Sequence, residues 1–495
     1  MYASLSPLLR GPAVWALACL SLLANQAFAA PTSVNFGPVS VGQTSAAQTV
    51  TVNFSQSGQI KAVKAVLNGS TGLDFNQTGG TCQAGSTYQA GQSCTVQATF
   101  TPVAPGVRNG AIVLTNPADA IIATAYLTGI GQGPLATFPG GTPVLAGYVG
   151  SSNSWTIDGA GNIYYLVAGY PNDTIHKLTP SGSLIVAWLP LKYRGAFLQT
   201  IDGAGNLILT FANQVIKIDP SGVLSLLATI QPEVNVGGVA ALGNGNLEVG
   251  GGTAGSNRSV AAYYLVQPNG TSSVQGTITD PVGSLFIYDV AIGPAGETYL
   301  GTVDSVYNSS SGRICQVPNE HGIAVDASGT LLTGTSNSQN FYLNPTPTNC
   351  APTVPVLDQL PLTGPIIESH GDIYVESATN TARPVYKYIR TQIHGVTFAS
   401  AGTATSYGSM AITNSGNMPL NLSKFQPTLS GSSPQSFNIE GTTCSQSLAP
   451  AATCTVSLSY TPSGTYATLP ASASLILHGL QNQQQAVPLN GFPNQ

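Results

Sequence analysis

The sequence predicts an all-β chain in which a central six-bladed β-propeller stands between two β-sandwiches. Three observations carry this. A short turn built on glycine recurs six times through the middle of the chain, at Gly161, Gly205, Gly245, Gly296, Gly329 and Gly371. The first and last hundred residues after an apolar leader repeat one strand-and-cysteine pattern. The composition is that of turns and short strands, with 56 Gly, 34 Pro and only 7% charged residues in 495.

Taken from the N-terminus, residues 1–29 read as a signal peptide. Arg10 supplies a basic start, "AVWALACLSLLA" (Ala13 to Ala24) an apolar run, and "AFA" (Ala27 to Ala29) a small-residue cleavage site. The apolar run is shorter than the roughly 20 residues of a membrane span. Cys19 lies inside it, and "ALAC" lacks the leading Leu of a lipoprotein signal, so a secreted or envelope protein with no transmembrane span after cleavage is expected. The net charge of −5 and the absence of any Lys/Arg run exclude the electrostatic footprint of a nucleic-acid binder. With few groups to titrate, stability is expected to depend weakly on pH.

The predicted sandwiches span residues 30–133 and 393–495, flanking a propeller at 134–392. The first runs "VNF" (Val34 to Phe36), "LDF" (Leu73 to Phe75), Cys82, "CTVQATFTP" (Cys94 to Pro102) and "LTG" (Leu127 to Gly129). The last runs "VTF" (Val396 to Phe398), "QSF" (Gln435 to Phe437), Cys444, "CTVSLSYTP" (Cys454 to Pro462) and "LNG" (Leu489 to Gly491). Alternation of small or polar with apolar residues in "CTVQATF" and "CTVSLSY" suits strands with one buried face. The Thr-Pro that follows ends each strand, since proline donates nothing to a ladder. Six cysteines in an exported chain favour disulfides, and their spacing suggests Cys82 with Cys94 and Cys444 with Cys454, leaving Cys315 with Cys350. Both segments resemble the immunoglobulin-like domains of the abnormal-spindle and hydin class, known in bacteria as choice-of-anchor D domains. That resemblance implies spacer or interaction modules without catalytic residues.

In the middle, each glycine turn joins two short apolar strands, at intervals of 44, 40, 51, 33 and 42 residues. Spacing near forty fits propeller blades of four strands. Further strands end in Pro-Ser-Gly or Pro-Asn-Gly turns ("TIHKLTPSG", "VIKIDPSG", "YYLVQPNG"). The array resembles the NHL-repeat family of six-bladed propellers, although the Asp that ends the family's second strand is absent. The duplicated "TIDGAGN" (Thr156 to Asn162, Thr200 to Asn206) marks blade turns, Asp bonding its own downstream backbone and Gly taking positive φ. The sixth repeat lacks an outermost strand, and "PLATFPGG" (Pro134 to Gly141), with Phe138, is expected to supply it and close the ring.

Ligand groups in propellers gather where the innermost strands enter the channel. Repeat alignment places Trp155, Gln199, Asn235, Tyr288, Asp289, Glu320 and His321 at that mouth. Glu320 beside His321 has the residue types for acid–base work, but neighbours on a strand face opposite ways. "ESHGD" (Glu368 to Asp372) groups two carboxylates with His370 at a blade turn, where turn chemistry accounts for it. Trp155 and Tyr288 suit stacking on a flat ligand, with burial between blades the alternative for each. No catalytic motif, metal-ligand spacing or cofactor signature occurs, so no cofactor or metal is expected. The expected function is a non-catalytic binding or scaffold protein of the bacterial cell surface, its partner an unidentified protein or glycan. The alternative is an exported propeller enzyme of lyase or lactonase type acting at the channel mouth.

Overall fold

The computed structural model describes residues 30–138, 143–150, 154–179, 182–231, 234–253, 260–279, 285–303, 305–316, 320–335, 341–344, 362–377, 383–392, 394–401, 404–462, 469–480 and 483–494. The expected signal peptide and Cys350 lie outside these residues, as does the side chain of Cys315. Secondary structure is almost entirely strand, and among the described residues no helix is long and apolar enough to cross a membrane.

The N-terminal hundred residues form two facing sheets. One orders strands Thr32–Ser40, Ile121–Gln132, Gly106–Thr115, Ala62–Leu67 and Ser70–Thr71; the other orders Gln48–Asn53, Ser93–Phe100 and Phe75–Gly80. Val50, Val52, Val96 and Phe100 from one sheet pack on Ile112, Leu114, Ala125 and Leu127 from the other, as the alternation requires. The C-terminal segment repeats this plan. In both, the opening strand pairs parallel with the closing strand (Val34 with Leu127, Val396 with Leu489), and the Cys-Thr-Val strand lies between two antiparallel partners.

The sequence correspondence extends to side-chain geometry. Phe36, Phe75 and Phe100 form a triangle with ring centroids 5.8, 6.0 and 5.0 Å apart, and Phe398, Phe437 and Tyr460 form its counterpart at 5.8, 6.1 and 5.1 Å. The shared glycine of "LTG" and "LNG" follows from this. A Cβ on Gly129 would stand 2.5 Å from the Phe100 ring, and one on Gly491 2.2 Å from the Tyr460 ring. Cys82–Cys94 and Cys444–Cys454 are bonded, with Cα atoms 5.1 and 4.9 Å apart. Such bonds persist in oxidising compartments.

Between the sandwiches, the described residues form six sheets that follow one another. Their first strands are Trp155–Ile157, Phe197–Ile201, Val234–Ala241, Asp289–Ile292, Glu320–Val325 and Leu362–Ser369. Each touches the next, and the sixth returns to the first, so the strands enclose a central channel as in a β-propeller. All six predicted turn glycines have φ between 80° and 91°, the left-handed region that glycine enters without steric cost. In both copies of "TIDGAGN" the Asp carboxylate accepts the N–H groups two and four residues on: Asp158 from Ala160 and Asn162, Asp202 from Ala204 and Asn206.

The ring closes, but with a different strand from the one expected. Val144–Tyr148 pairs with Pro384–Tyr388 as the outermost strand of the Gly371 sheet. The Phe138 segment instead extends the C-terminal sandwich: Ala136 and Thr137 pair with Asn414 and Thr413, and Phe138 is buried among Phe398, Phe437 and Tyr460. Both segments are short and apolar; Phe138 fills the apolar core of the C-terminal sandwich, whereas Val144–Tyr148 stays largely exposed at the rim of the ring.

Candidate functional site

The two ends of the ring are chemically different. At one end lie the turns between first and second strands; the opposite end carries the links from second to third strands and from each sheet to the next. Among the described residues, the contacts of both sandwiches with the ring fall on the turn end. From the N-terminal sandwich, the Tyr126 hydroxyl donates to Asp202 Oδ2 (2.9 Å), Asn109 Nδ2 to the Ala241 carbonyl (3.4 Å) and Arg108 Nη2 to His370 Nε2 (2.7 Å). The turns themselves bind it: Gly159 N–H donates to Asn68 O (3.3 Å), Ala160 N–H to Ser70 Oγ (3.2 Å), and Gly69 N–H to Gly203 O (3.4 Å). The C-terminal sandwich meets the same end through buried Arg390, which donates to Thr137 Oγ1 (3.2 Å) and Ser415 Oγ (2.6 Å).

Closing the turn end with the N-terminal sandwich leaves a channel cavity of about 370 Å³. Its wall carries Gln199, Asp289, Asp326, Glu368, His370 and, from the sandwich, Arg108. The Asp289 carboxylate accepts Val290 N–H and Ile323 N–H, both at 2.8 Å. Burial nonetheless pushes its pKa up to about 7, the two donors only partly opposing it. Burial, with the neighbouring Asp326 charge, pushes Glu368 up to about 7 as well, against a 2.6 Å bond from Gly371 N–H. Burial and then the Arg108 charge hold His370 down at about 4. A neutral His370 accepts from Arg108 at Nε2 and donates from Nδ1 to Ser369 Oγ (3.0 Å), while Arg108 Nε reaches Asp74 at 2.5 Å. Among the described residues no group of three His, Cys, Asp or Glu side chains is placed to hold a metal ion.

The expected mouth residues separate into several environments. Trp155 is 0% exposed, packed between the first and sixth sheets with Nε1 donating to Glu376 Oε2 (3.0 Å), so it is not available for stacking. Gln199 lines the channel, its amide donating to Thr210 Oγ1 (2.9 Å). Asn235 and Tyr288 are exposed at the open end, Tyr288 against Phe286 with centroids 4.6 Å apart. Asp289 is the one that reaches the channel interior with a shifted carboxyl. Glu320 and His321 begin the first strand of the fifth sheet, but their side chains lie outside the described residues. The expected Cys315–Cys350 pair is likewise outside them.

Sequence reasoning missed Arg108, because nothing in "GVRNG" marks a strand that will face another domain. It also missed the open-end loops at residues 168–174 and 189–197, although "LKYRGAF" (Leu191 to Phe197) combines two cations with aromatic residues in a chain poor in charge. Tyr170 (86% exposed), Trp188 (63%), Leu191 and Phe197 project there.

No protein-family model matches the chain, and no curated protein matches it in sequence. Among solved structures it is similar to virginiamycin B lyase from Staphylococcus aureus, at 11% identity over 64% of this chain and 98% of that one, with a TM-score of 0.36. It is also similar to a gluconolactonase from Xanthomonas campestris (11% identity, 52% and 97% covered, TM-score 0.37). The PQQ-bound aldose sugar dehydrogenase from Streptomyces coelicolor stands at 12% identity, 50% and 97% covered, with a TM-score of 0.37. Likeness of this degree carries no argument about activity.

Proposed function

We propose that this chain is an exported, non-catalytic binding or scaffold protein of the bacterial cell surface or envelope, its ring serving as the platform for a protein or glycan. In this reading each of the six sheets is a blade of an NHL-like propeller, and the flanking sandwiches are immunoglobulin-like spacers of the choice-of-anchor D kind. The observation that carries it is that both sandwiches meet the ring at its turn end, so that among the described residues the opposite face, with its projecting aromatic residues, is left open to a partner. The two disulfides support the extracytoplasmic location.

A second reading, an enzyme of lyase or lactonase type, is favoured by one observation: Asp289 and Glu368 both sit in the channel with pKa values near 7, the range suited to proton transfer. Against it, both Asp289 oxygens are engaged by backbone N–H groups, and His370 is committed to Arg108. The two readings are separated by screening the purified chain against glycan and surface-protein arrays alongside a panel of lactones and cyclic esters. Binding without turnover is expected. Turnover that disappears in Asp289→Asn or Glu368→Gln would establish the enzyme instead.

A further inference from the structure

We propose that the loops at residues 168–174 and 189–197, on the open face of the ring, form a binding site for an acidic, uronate-bearing polysaccharide. The proposal rests on the platform reading and names its ligand class. The two loops are tied into one unit by Asp173, whose carboxylate accepts Gly169 N–H at 3.0 Å and Gly195 N–H at 2.9 Å, while its carbonyl accepts Leu189 N–H at 2.9 Å. Asp173 is buried at 1% exposure, so the one carboxylate of these loops is turned inward, its oxygens held by backbone N–H groups and not presented to a ligand.

What the unit does offer is rings and cations. Tyr170 and Phe197 in the loops, and Trp188 at the end of the strand that leads into the second loop, are exposed aromatic side chains, and Leu191 is exposed as well. Arg194 stands over the Tyr170 ring at 5.7 Å and Lys192 over Tyr193 at 4.6 Å. Both cations are exposed, and among the described residues neither forms a salt bridge. Two of only 14 Lys and Arg residues thus fall within three positions, making a local positive patch on a chain of net charge −5. Sugar rings present C–H faces that stack on aromatic side chains, and uronate carboxylates pair with the adjacent cations. An anionic lipid surface answers the same charge, but insertion into lipid calls for a larger apolar face than these two loops present, whose one exposed large aliphatic side chain is Leu191.

The test is co-sedimentation of the whole chain with polygalacturonate, with amylose as the neutral glycan and phosphatidylglycerol vesicles as the lipid surface. Two variants, Trp188→Ala and the double change Lys192→Ser with Arg194→Ser, are exposed and are accepted only with unchanged melting temperatures. Retention on polygalacturonate is expected, weakening as salt screens the cations. Removing the Trp188 ring is expected to weaken it roughly tenfold. The double cation change should weaken it roughly five- to tenfold and reduce the salt dependence. Three results overturn the proposal: no retention on polygalacturonate, retention unaffected by either variant, or binding to the vesicles alone. If some other ligand is captured through the open face while these variants change nothing, this site falls and the platform stands. If nothing is bound and a lactone is turned over, the platform itself falls.

Discussion

Replacing Asp202 with alanine should loosen both a turn and a domain contact, and the two parts can be measured separately. The carboxylate is 2% exposed and accepts four bonds: Ala204 N–H (3.0 Å), Asn206 N–H (2.9 Å), Asn206 Nδ2 (2.7 Å) and the Tyr126 hydroxyl (2.9 Å). A buried donor left without a partner costs about 1–3 kcal/mol, and here the Tyr126 hydroxyl and the turn N–H groups are stranded together. Relaxation of the turn toward water recovers part of this, so a net loss of about 3–5 kcal/mol is expected for Asp202→Ala. Tyr126→Phe removes only the contact to the sandwich and should cost about 1–2 kcal/mol. In the double variant the two losses should fall short of additivity by roughly 1 kcal/mol or more, because both single changes remove the same bond. Urea denaturation of the four proteins yields the cycle. A neutral Tyr126→Phe with fully additive losses would refute the seating of the sandwich on this turn.

Gly203→Ala probes the same seating by sterics alone, since its Cβ would stand 2.5 Å from the Gly110 carbonyl oxygen; faster cleavage between sandwich and ring in limited proteolysis is expected. The pH dependence should be steeper than charge counting implies. Asp289, Glu248 and Glu368 titrate near 7 in the native state, each raised chiefly by burial, whereas unfolded carboxyls titrate at about 4. The native state therefore holds more protons between about pH 4 and 7, and stability should be greatest below that window and fall as pH rises through it, by on the order of 3 kcal/mol for each of the buried Asp289 and Glu368 and by less for the part-exposed Glu248, whose charge solvent screens. His370, lowered to about 4, works in the opposite sense over about pH 4 to 6.5 and offsets one carboxyl. Asp289→Asn with Glu368→Gln should flatten the melting-temperature profile between pH 4.5 and 7.5, values taken as roughly the ends of that window; an unchanged slope would contradict the shifts. Removing either short disulfide loop, as in Cys82→Ser with Cys94→Ser, should cost about 3 kcal/mol in thermal or urea unfolding.

What was legible in the sequence was whatever local chemistry determines. The six turn glycines are visible because positive φ excludes most other residues, and the two sandwiches are visible because their Phe, Cys and Gly positions meet the same neighbours in both copies. The closing strand was misplaced because Phe138 and the Val144–Tyr148 stretch look alike locally; only competition for the sandwich core separates them. A strand start marks Trp155 as a mouth residue but does not say which way its ring turns; a buried acceptor, Glu376, 221 positions away, draws it between the sheets. The expectation of flat pH behaviour rests on the number of titratable groups, whereas the shifts of Asp289, Glu248 and Glu368 come from where the fold buries those few.

The most direct test of the account is hydroxyl-radical footprinting of the free chain, read residue by residue by mass spectrometry. Tyr126 is 5% exposed, beneath it the Asp202 turn, whereas Tyr170, Trp188 and Tyr288 project from the opposite face. The account predicts rapid oxidation of those three and protection of Tyr126 and Trp155. Oxidation of Tyr126 as fast as Tyr170 would mean that the sandwich does not cover the turn end, and the assignment of one closed and one open face would be wrong.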